Sequence, residues 1–246
     1  MHILGLTNGS LQGNSEILLK AALTAAQEED SSLTISPGTT TTQHQTIERL
    51  LNAILAADAI IISTPTYSHQ LPGVIKALFD RIGGPYVDAS FAELVCQGQA
   101  AGDPKFASMK FDPRLQKPRV AGFMVIGGSG TPDQFTMALP SLHALVYPMH
   151  AKVVSQSIGQ RVAARGAIPL QPELMERARQ LGRNIVSQMG KHFDDAQYLG
   201  FKDESSCPNC HLNKIELLRN NKSIGCITCG TRGKIVIFLN QEIGFR

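Results

Sequence analysis

The chain carries little net charge, has no long hydrophobic run, and lacks the common nucleotide-binding glycine motifs. Its 23 Lys and Arg stand against 20 Asp and Glu, a formal net charge of +3. So slight a field does not demand a nucleic-acid partner. No apolar run is long enough to span a bilayer, so no membrane partner is expected. The N-terminus opens directly into Ile3-Leu4-Gly5-Leu6, without the basic, then apolar, then small-residue order of a signal peptide. A cytoplasmic, reducing location is therefore expected. There the five cysteines read as metal ligands or free thiols rather than disulfides. Neither G-x-G-x-x-G nor the P-loop with its lysine occurs, which argues against a dinucleotide held in the Rossmann manner and against a nucleoside triphosphatase. What is present is 246 residues, 43% hydrophobic and 17% charged. That is a globular chain with room for one large domain and a small module.

The organising stretch runs from Ser63 to Gly73. It leaves the apolar run Asp58–Ile62 and enters a helical pattern, Val74–Ile82. The strand shows no polar alternation, so both its faces are buried, as in a parallel sheet. The loop then leaves the carboxyl end of an inner strand, where open α/β sheets place their ligands. Pro65 stiffens it, Tyr67 offers a flat face with a polar tip, and Pro72 suits a first helical turn.

The first unit repeats the pattern. A strand within Met1–Thr7 runs into Asn8-Gly9-Ser10-Leu11-Gln12-Gly13-Asn14-Ser15, which opens a helix from Glu16. The free N–H groups and positive dipole end of that helix suit a mononucleotide phosphate, with Ser10, Asn14 and Ser15 as added donors. Asn14 or Ser15 also suits a helix cap. A second strand, Ser32–Ser36, is followed by loop residues Pro37-Gly38 and a threonine run. A helix then covers Gln45–Ala57, with His44 read as a surface residue. Residues 84–118 form an insert rich in Pro and Gly, with a short helix around Ser90–Val95. Long connections of this kind are lids, binding segments or interface arms. Cys96, alone in the insert, reads as a half-buried small hydrophobe. Strand Val120–Ile126 delivers Gly127-Gly128-Ser129-Gly130 to the same carboxyl edge. A helix over Gln134–Val146 carries His143, read as a packed histidine. Strand Lys152–Ser157 and a final helix over Glu173–Gly190 complete five strands alternating with five helices.

Three loops therefore converge, residues 8–15, 64–69 and 127–131. One suits a phosphate and two suit a flat ring, which points to flavin mononucleotide (FMN) on a flavodoxin-like, doubly wound five-stranded parallel sheet. At this point the chain resembles the NAD(P)H-dependent FMN reductases, relatives of azoreductases, quinone reductases and iron–sulfur flavoproteins. Pro65 to Arg81 resembles that family's P-x-Y-x-x-x-x-P-G-x-x-K-x-x-x-D run, and the likeness covers about residues 1–190. The resemblance implies an enzyme that takes hydride from NAD(P)H through FMN to a small-molecule electron acceptor: a quinone, flavin, azo or nitro compound, or a biosynthetic intermediate. It implies FMN contacts from Ser10, Gln12, Gly13, Asn14 and Ser15, from Pro65, Thr66, Tyr67 and Ser68, and from Gly127, Gly128, Ser129 and Gly130. Tyr67 and His69 are its candidates for contacting the ring or the second substrate, and a homodimer or homotetramer is expected. Three features depart from the family. Gln12 stands where many relatives carry an arginine, His69 stands where a small residue such as glycine is common, and the insert is long.

Residues 191–206 read as a solvated linker. Beyond them, Cys207-Pro-Asn-Cys210 and Cys226-Ile-Thr-Cys229 are separated by fifteen residues. Two C-x-x-C knuckles at this distance form a four-thiolate metal signal. With a β-ribbon between them, turning at Arg219-Asn220-Asn221, and a strand over Lys234–Leu239, residues 207–246 read as a small zinc ribbon. Zinc suits a closed site that staples a module without its own core. Thiolate-bound iron is the alternative, and would make the chain an FMN and iron electron carrier or redox sensor for a protein partner. From Cys207 onward, six Lys or Arg and two Glu leave a thin positive charge without an aromatic stripe. This argues against a nucleic-acid-binding regulator.

Overall fold

The computed structural model describes residues 1–39, 44–83, 87–203, 205–218, 223–237 and 243–245. The threonine run from Thr40, residues Gly84–Tyr86 of the insert, and the Arg219-Asn220-Asn221 turn lie outside the described residues. The chain divides into two compact units, Met1–Gly200 and Phe201–Arg246.

The first unit alternates strands and helices: β1 (His2–Thr7), α1 (Asn14–Glu29), β2 (Thr34–Thr39), α2 (His44–Ala56), β3 (Ala59–Pro65), α3 (Gly73–Ile82), α4 (Ala89–Ala100), β4 (Arg119–Ile126), α5 (Ala138–Val146), β5 (Ala151–Gly159) and α6 (Pro172–Gln188). The five strands form one parallel sheet in the order β2-β1-β3-β4-β5. This is the flavodoxin-like order, and it places the ends of β1, β3 and β4 side by side. All eight residues of β4 and six of the seven in β3 are buried, so helices must cover both faces. On one face α1 and α6 pack together, and a Cβ at Gly182 would lie 2.0 Å from the Ala22 carbonyl oxygen. Only glycine allows that approach.

Several elements differ from the sequence expectation. Strand β2 continues through Pro37 and Gly38 instead of ending at Ser36. It is an edge strand, where an imino residue removes no bond from the ladder. The insert's helix runs to Ala100, longer than expected, with Gly98 packed on the Phe106 ring. The insert starts and ends at the amino edge of the sheet, and its Ala92 and Leu115 pack against Leu55 of α2. Residues 191–200 are not a solvated linker. Ala196 and Tyr198 are buried, and the Leu199 N–H donates to the Val154 carbonyl of β5. The acidic pair Asp194–Asp195 marks only the exposed side of this strap.

At the amino edge, Arg119 opens β4 and is itself 2% exposed. Its five guanidinium N–H groups donate to the carbonyls of Ile54, Leu55, Arg114, Lys117 and Met149 at 2.7–3.2 Å. Ile54 and Leu55 lie in the last turn of α2, whose dipole is negative at that end. The cation is held by carbonyls and a helix terminus rather than by a direct carboxylate partner. Burial pushes its pKa down to about 10, so it stays charged at neutral pH. Arg119→Leu leaves these carbonyls buried and unpaired. It should lower the unfolding free energy by about 3 kcal/mol in urea titration of the intact chain.

The second unit is built from short strands. β6 (Ile215–Leu217), β7 (Ile224–Cys226) and β8 (Arg232–Gly233) form an antiparallel sheet, and β9 (Ile235–Ile237) pairs with β10 (Ile243–Phe245). Three-residue strands cannot bury much apolar area, so this unit needs another source of stability.

Candidate active site and a four-thiolate centre

The loops after β1, β3, β4 and β5 meet at the carboxyl edge and are hydrogen-bonded to one another. The Thr66 N–H donates to the Ile126 carbonyl at 2.8 Å, and the Gly127 N–H to Gly159 at 3.0 Å. Val162 and Arg161 donate back to Gly127 and Ser129 at 3.0 and 2.9 Å. A Cβ on Gly9 would lie 3.0 Å from the Ser15 hydroxyl and 3.6 Å from Pro65, so the first loop touches the second. Pro65, Thr66 and Gly127 are neighbours in the same way, with a Gly127 Cβ position 3.7 Å from Thr66. The residues of the three sequence-identified loops are therefore brought to one edge.

Tyr67-Ser68-His69-Gln70 forms a tight turn closed by reciprocal backbone bonds between Tyr67 and Gln70 at 2.9 and 3.0 Å. Ser68 and His69 both adopt positive φ, +47° and +67°. Two successive left-handed residues are the signature of a primed turn, in which glycine is the usual second residue. This explains why a small residue suits position 69. In this chain the ring Nδ1 of His69 donates to the Asp133 carbonyl at 3.0 Å, tying the turn to the segment after β4. His69 thus holds loop to loop. Tyr67 is 59% exposed on the outer side of the turn.

In the first loop, Gly13 caps α1 without a side-chain bond. The Asn14 side chain neither caps the helix nor faces the loop. Its Nδ2 donates to the Ala164 carbonyl, and its Oδ1 accepts from the Ile168 N–H. Gln12 has φ +55°, and its N–H donates to the Glu16 carboxylate at 2.6 Å. The Lys20 ammonium beside Glu16 holds that carboxyl below its usual range.

Four residues at the ends of β1 and β3 carry buried polar atoms with no partner: Thr7 Oγ1, Ser63 Oγ, Thr66 Oγ1, and both Nδ2 and Oδ1 of Asn8. Native interiors pair such groups, and clusters of exceptions mark a missing water or ligand. Asn8 was not singled out from the sequence, although it directly follows β1.

His143 lies away from this cluster. Its Nε2 donates to Gln156 Oε1 at 2.8 Å, and its ring meets Phe123 edge-on. It is a packed histidine, as its helix pattern indicated. Cys96 is half-buried, with the Gln116 amide 3.5 Å from its sulfur.

In the second unit, Cys207, Cys210, Cys226 and Cys229 hold their sulfurs within 4.8 Å of one another. The closest pairs are Cys210 with Cys226 at 3.5 Å and Cys207 with Cys229 at 3.6 Å. These exceed an S–S bond, and tetrahedral sulfurs about 2.3 Å from a metal stand about 3.8 Å apart. The two knuckles are built alike. His211 N–H bonds back to Cys207, and Gly230 N–H to Cys226, at 2.9 Å each, with φ of +57° and +76°. His211 fills a backbone turn position and stands outside the cluster of ligand atoms. Burial pushes the Cys207 and Cys210 thiols up. Burial also pushes on Cys229, but hydrogen bonds, first from Thr231, outweigh it and hold this thiol at about 6.

Comparison with known proteins fits this geometry. Residues 1–103 match the NADPH-dependent FMN reductase family. The whole chain aligns with a flavone synthase of Aspergillus candidus at 29% identity, covering 81% of that protein. It also superposes on a solved flavone reductase with a TM-score of 0.76 and 26% identity, over 100% of this chain and 81% of that one. An NAD(P)H:quinone oxidoreductase from Methanothermobacter marburgensis shares the fold, with a TM-score of 0.51 and 18% identity over 75% of this chain and 98% of its own. The chain thus resembles the NADPH-dependent FMN reductases over residues 1–103 and relatives named for flavone over its whole length. Among the described residues, no helix is long and apolar enough to cross a membrane.

Burial lowers the pKa of His143 below the ordinary 6.5, and the bond to Gln156 raises it only in part. The unfolded chain therefore binds this proton at higher pH than the folded one. Unfolding free energy should fall as pH drops through about 6.5, with His2, also lowered by burial, adding the same sign. His143→Leu should flatten that slope in urea titrations at stepped pH.

Proposed function

We propose that this oxidoreductase holds FMN at the carboxyl edge and delivers reducing equivalents from NAD(P)H to a small planar acceptor. The observation that carries the reading is the cluster of buried, unpartnered polar atoms on Thr7, Asn8, Ser63 and Thr66, beside glycine-lined loops. FMN, when bound, supplies the hydride chemistry. The protein's part is to bind, orient and tune. The first loop, Ser10 to Ser15, offers backbone N–H groups at the positive end of α1 to a phosphate. Pro65, Thr66, Tyr67 and Ser68 wall one side of the ring. Gly127, Gly128, Ser129 and Gly130 bring backbone donors close to it, where negative charge collects on reduction. Tyr67 presents its exposed face to the acceptor, and His69 keeps the turn that aims it.

The acceptor reading follows the relatives aligned over the whole chain, which are named for flavone. A conjugated aromatic ketone is the first class to screen, with quinones, azo and nitro compounds beside it. A homodimer or homotetramer belongs to the same reading, supported by large exposed side chains such as Tyr67 and Tyr147. In the second unit, zinc suits the closed four-thiolate cluster of Cys207, Cys210, Cys226 and Cys229 and the coreless strands around it. Iron there would instead favour the electron-carrier reading.

Purified protein should show flavin absorption that bleaches on anaerobic NADPH. Asn8→Ala should weaken FMN binding roughly 10-fold in fluorescence titration, the scale of a lost buried hydrogen-bonding partner. Protein that refuses added FMN overturns the reading. Elemental analysis should give about one zinc per chain, lost in Cys210→Ser. A ferric-thiolate spectrum would replace zinc with iron.

A further inference from the structure

The β5–α6 connection, residues 160–171, is the fourth loop at the carboxyl edge, and it carries two arginines, Arg161 and Arg165. It is clamped to the first loop across more than 150 residues of chain. The Asn14 side chain grips it at two points, donating to the Ala164 carbonyl at 2.8 Å and accepting from the Ile168 N–H at 3.2 Å. Between those two anchors lies Arg165, and its Nη2 donates to the Leu11 carbonyl in the middle of the first loop. The following residue, Gly166, has φ +72°, the turn that lets the loop double back over α1.

The charges around the first loop make this contact informative. Gln12 supplies none. Glu16 faces the loop through the Gln12 N–H, and Lys20 is paired with that same Glu16, at 2.6 Å. The acidic and basic groups on α1 therefore cancel. Arg165 is exposed and has no carboxylate partner among the described residues, so its charge is uncompensated. One of its five N–H groups is engaged by Leu11, and a guanidinium can offer the others in a planar fork that matches a phosphate.

We infer that Arg165, reaching over from the β5–α6 loop, is the cation that pairs with the FMN phosphate in place of an arginine in the first loop. The inference rests on the flavin reading above. Asn14 is then a positioning residue: its amide sets the height of the Arg165 loop over the phosphate site. A phosphate dianion carries the charge that distinguishes FMN from riboflavin, so Arg165 should set the preference for the phosphorylated flavin and leave the ring contacts alone.

The test is to titrate intact wild-type protein, Arg165→Ala and Arg165→Lys with FMN and with riboflavin, following flavin fluorescence at two ionic strengths. Arg165→Ala should lose roughly 10- to 100-fold in FMN affinity, the scale of a charge-assisted pair. Riboflavin affinity should stay within about 3-fold, and Arg165→Lys should recover part of the FMN preference. The FMN loss should shrink at high salt, as screening weakens the pair in wild type. Equal loss of both flavins would mean that the side chain only shapes the loop, and would overturn the inference. So would unchanged FMN affinity in Arg165→Ala. Wild-type protein that binds neither flavin would overturn the flavin reading itself, a different result from wild type binding both and Arg165→Ala matching it.

Discussion

A parallel sheet buried on both faces leaves its polar groups only two places to go, its amino edge and its carboxyl edge. In this protein the two edges are finished in opposite ways. At the amino edge, the guanidinium of Arg119 satisfies five carbonyls from α2, the insert and the turn before β5. That end is closed. At the carboxyl edge, Thr7, Asn8, Ser63 and Thr66 hold buried polar atoms that the protein itself does not satisfy. Unpaired groups of this kind destabilise a fold unless something else bonds them. In the proposed function, this asymmetry is what directs the flavin to one end of the sheet.

The loops at that end are rigid for identifiable reasons. Each is bonded to at least one other: the first to the fourth through Asn14, the second to the third through Thr66 and His69, and the third to the fourth through Gly127 and Ser129. Strained backbone at Gln12, Ser68, His69 and Arg161 sits within the same ring of loops. Left-handed non-glycine residues persist only where the surroundings hold them, and they gather where geometry serves function. Flavin chemistry asks the protein for position more than for proton transfer, and a bonded ring of loops supplies position.

The C-terminal unit solves a different problem. Its strands are two or three residues long, and three of its four clustered cysteines are buried. A metal held by the four thiolates would replace the missing core with a few strong bonds, and the matching knuckle turns at His211 and Gly230 gather the sulfurs.

The order of strands and helices, the carboxyl-edge loops and the four-cysteine cluster were all legible in the sequence. Unbroken apolar strands, glycine loops and C-x-x-C spacing act over a few residues, so a linear reading captures them. What required the tertiary structure were contacts between residues far apart in the chain. Arg165 reaching Leu11, Asn14 turned toward Ala164, and the carbonyl cage around Arg119 depend on how crossovers stack, and no local pattern records that. The course of β2 through Pro37 and the burial of Ala196 and Tyr198 beside β5 were likewise decided by position in the sheet. A proline is harmless only where no neighbour needs its N–H, and an acidic strap is buried only on the side that meets a strand. The sequence by itself determined which surfaces had to be covered and which residues could bind. The fold decided which of those residues face one another, because the hydrophobic pattern specifies burial but not the partner across the gap.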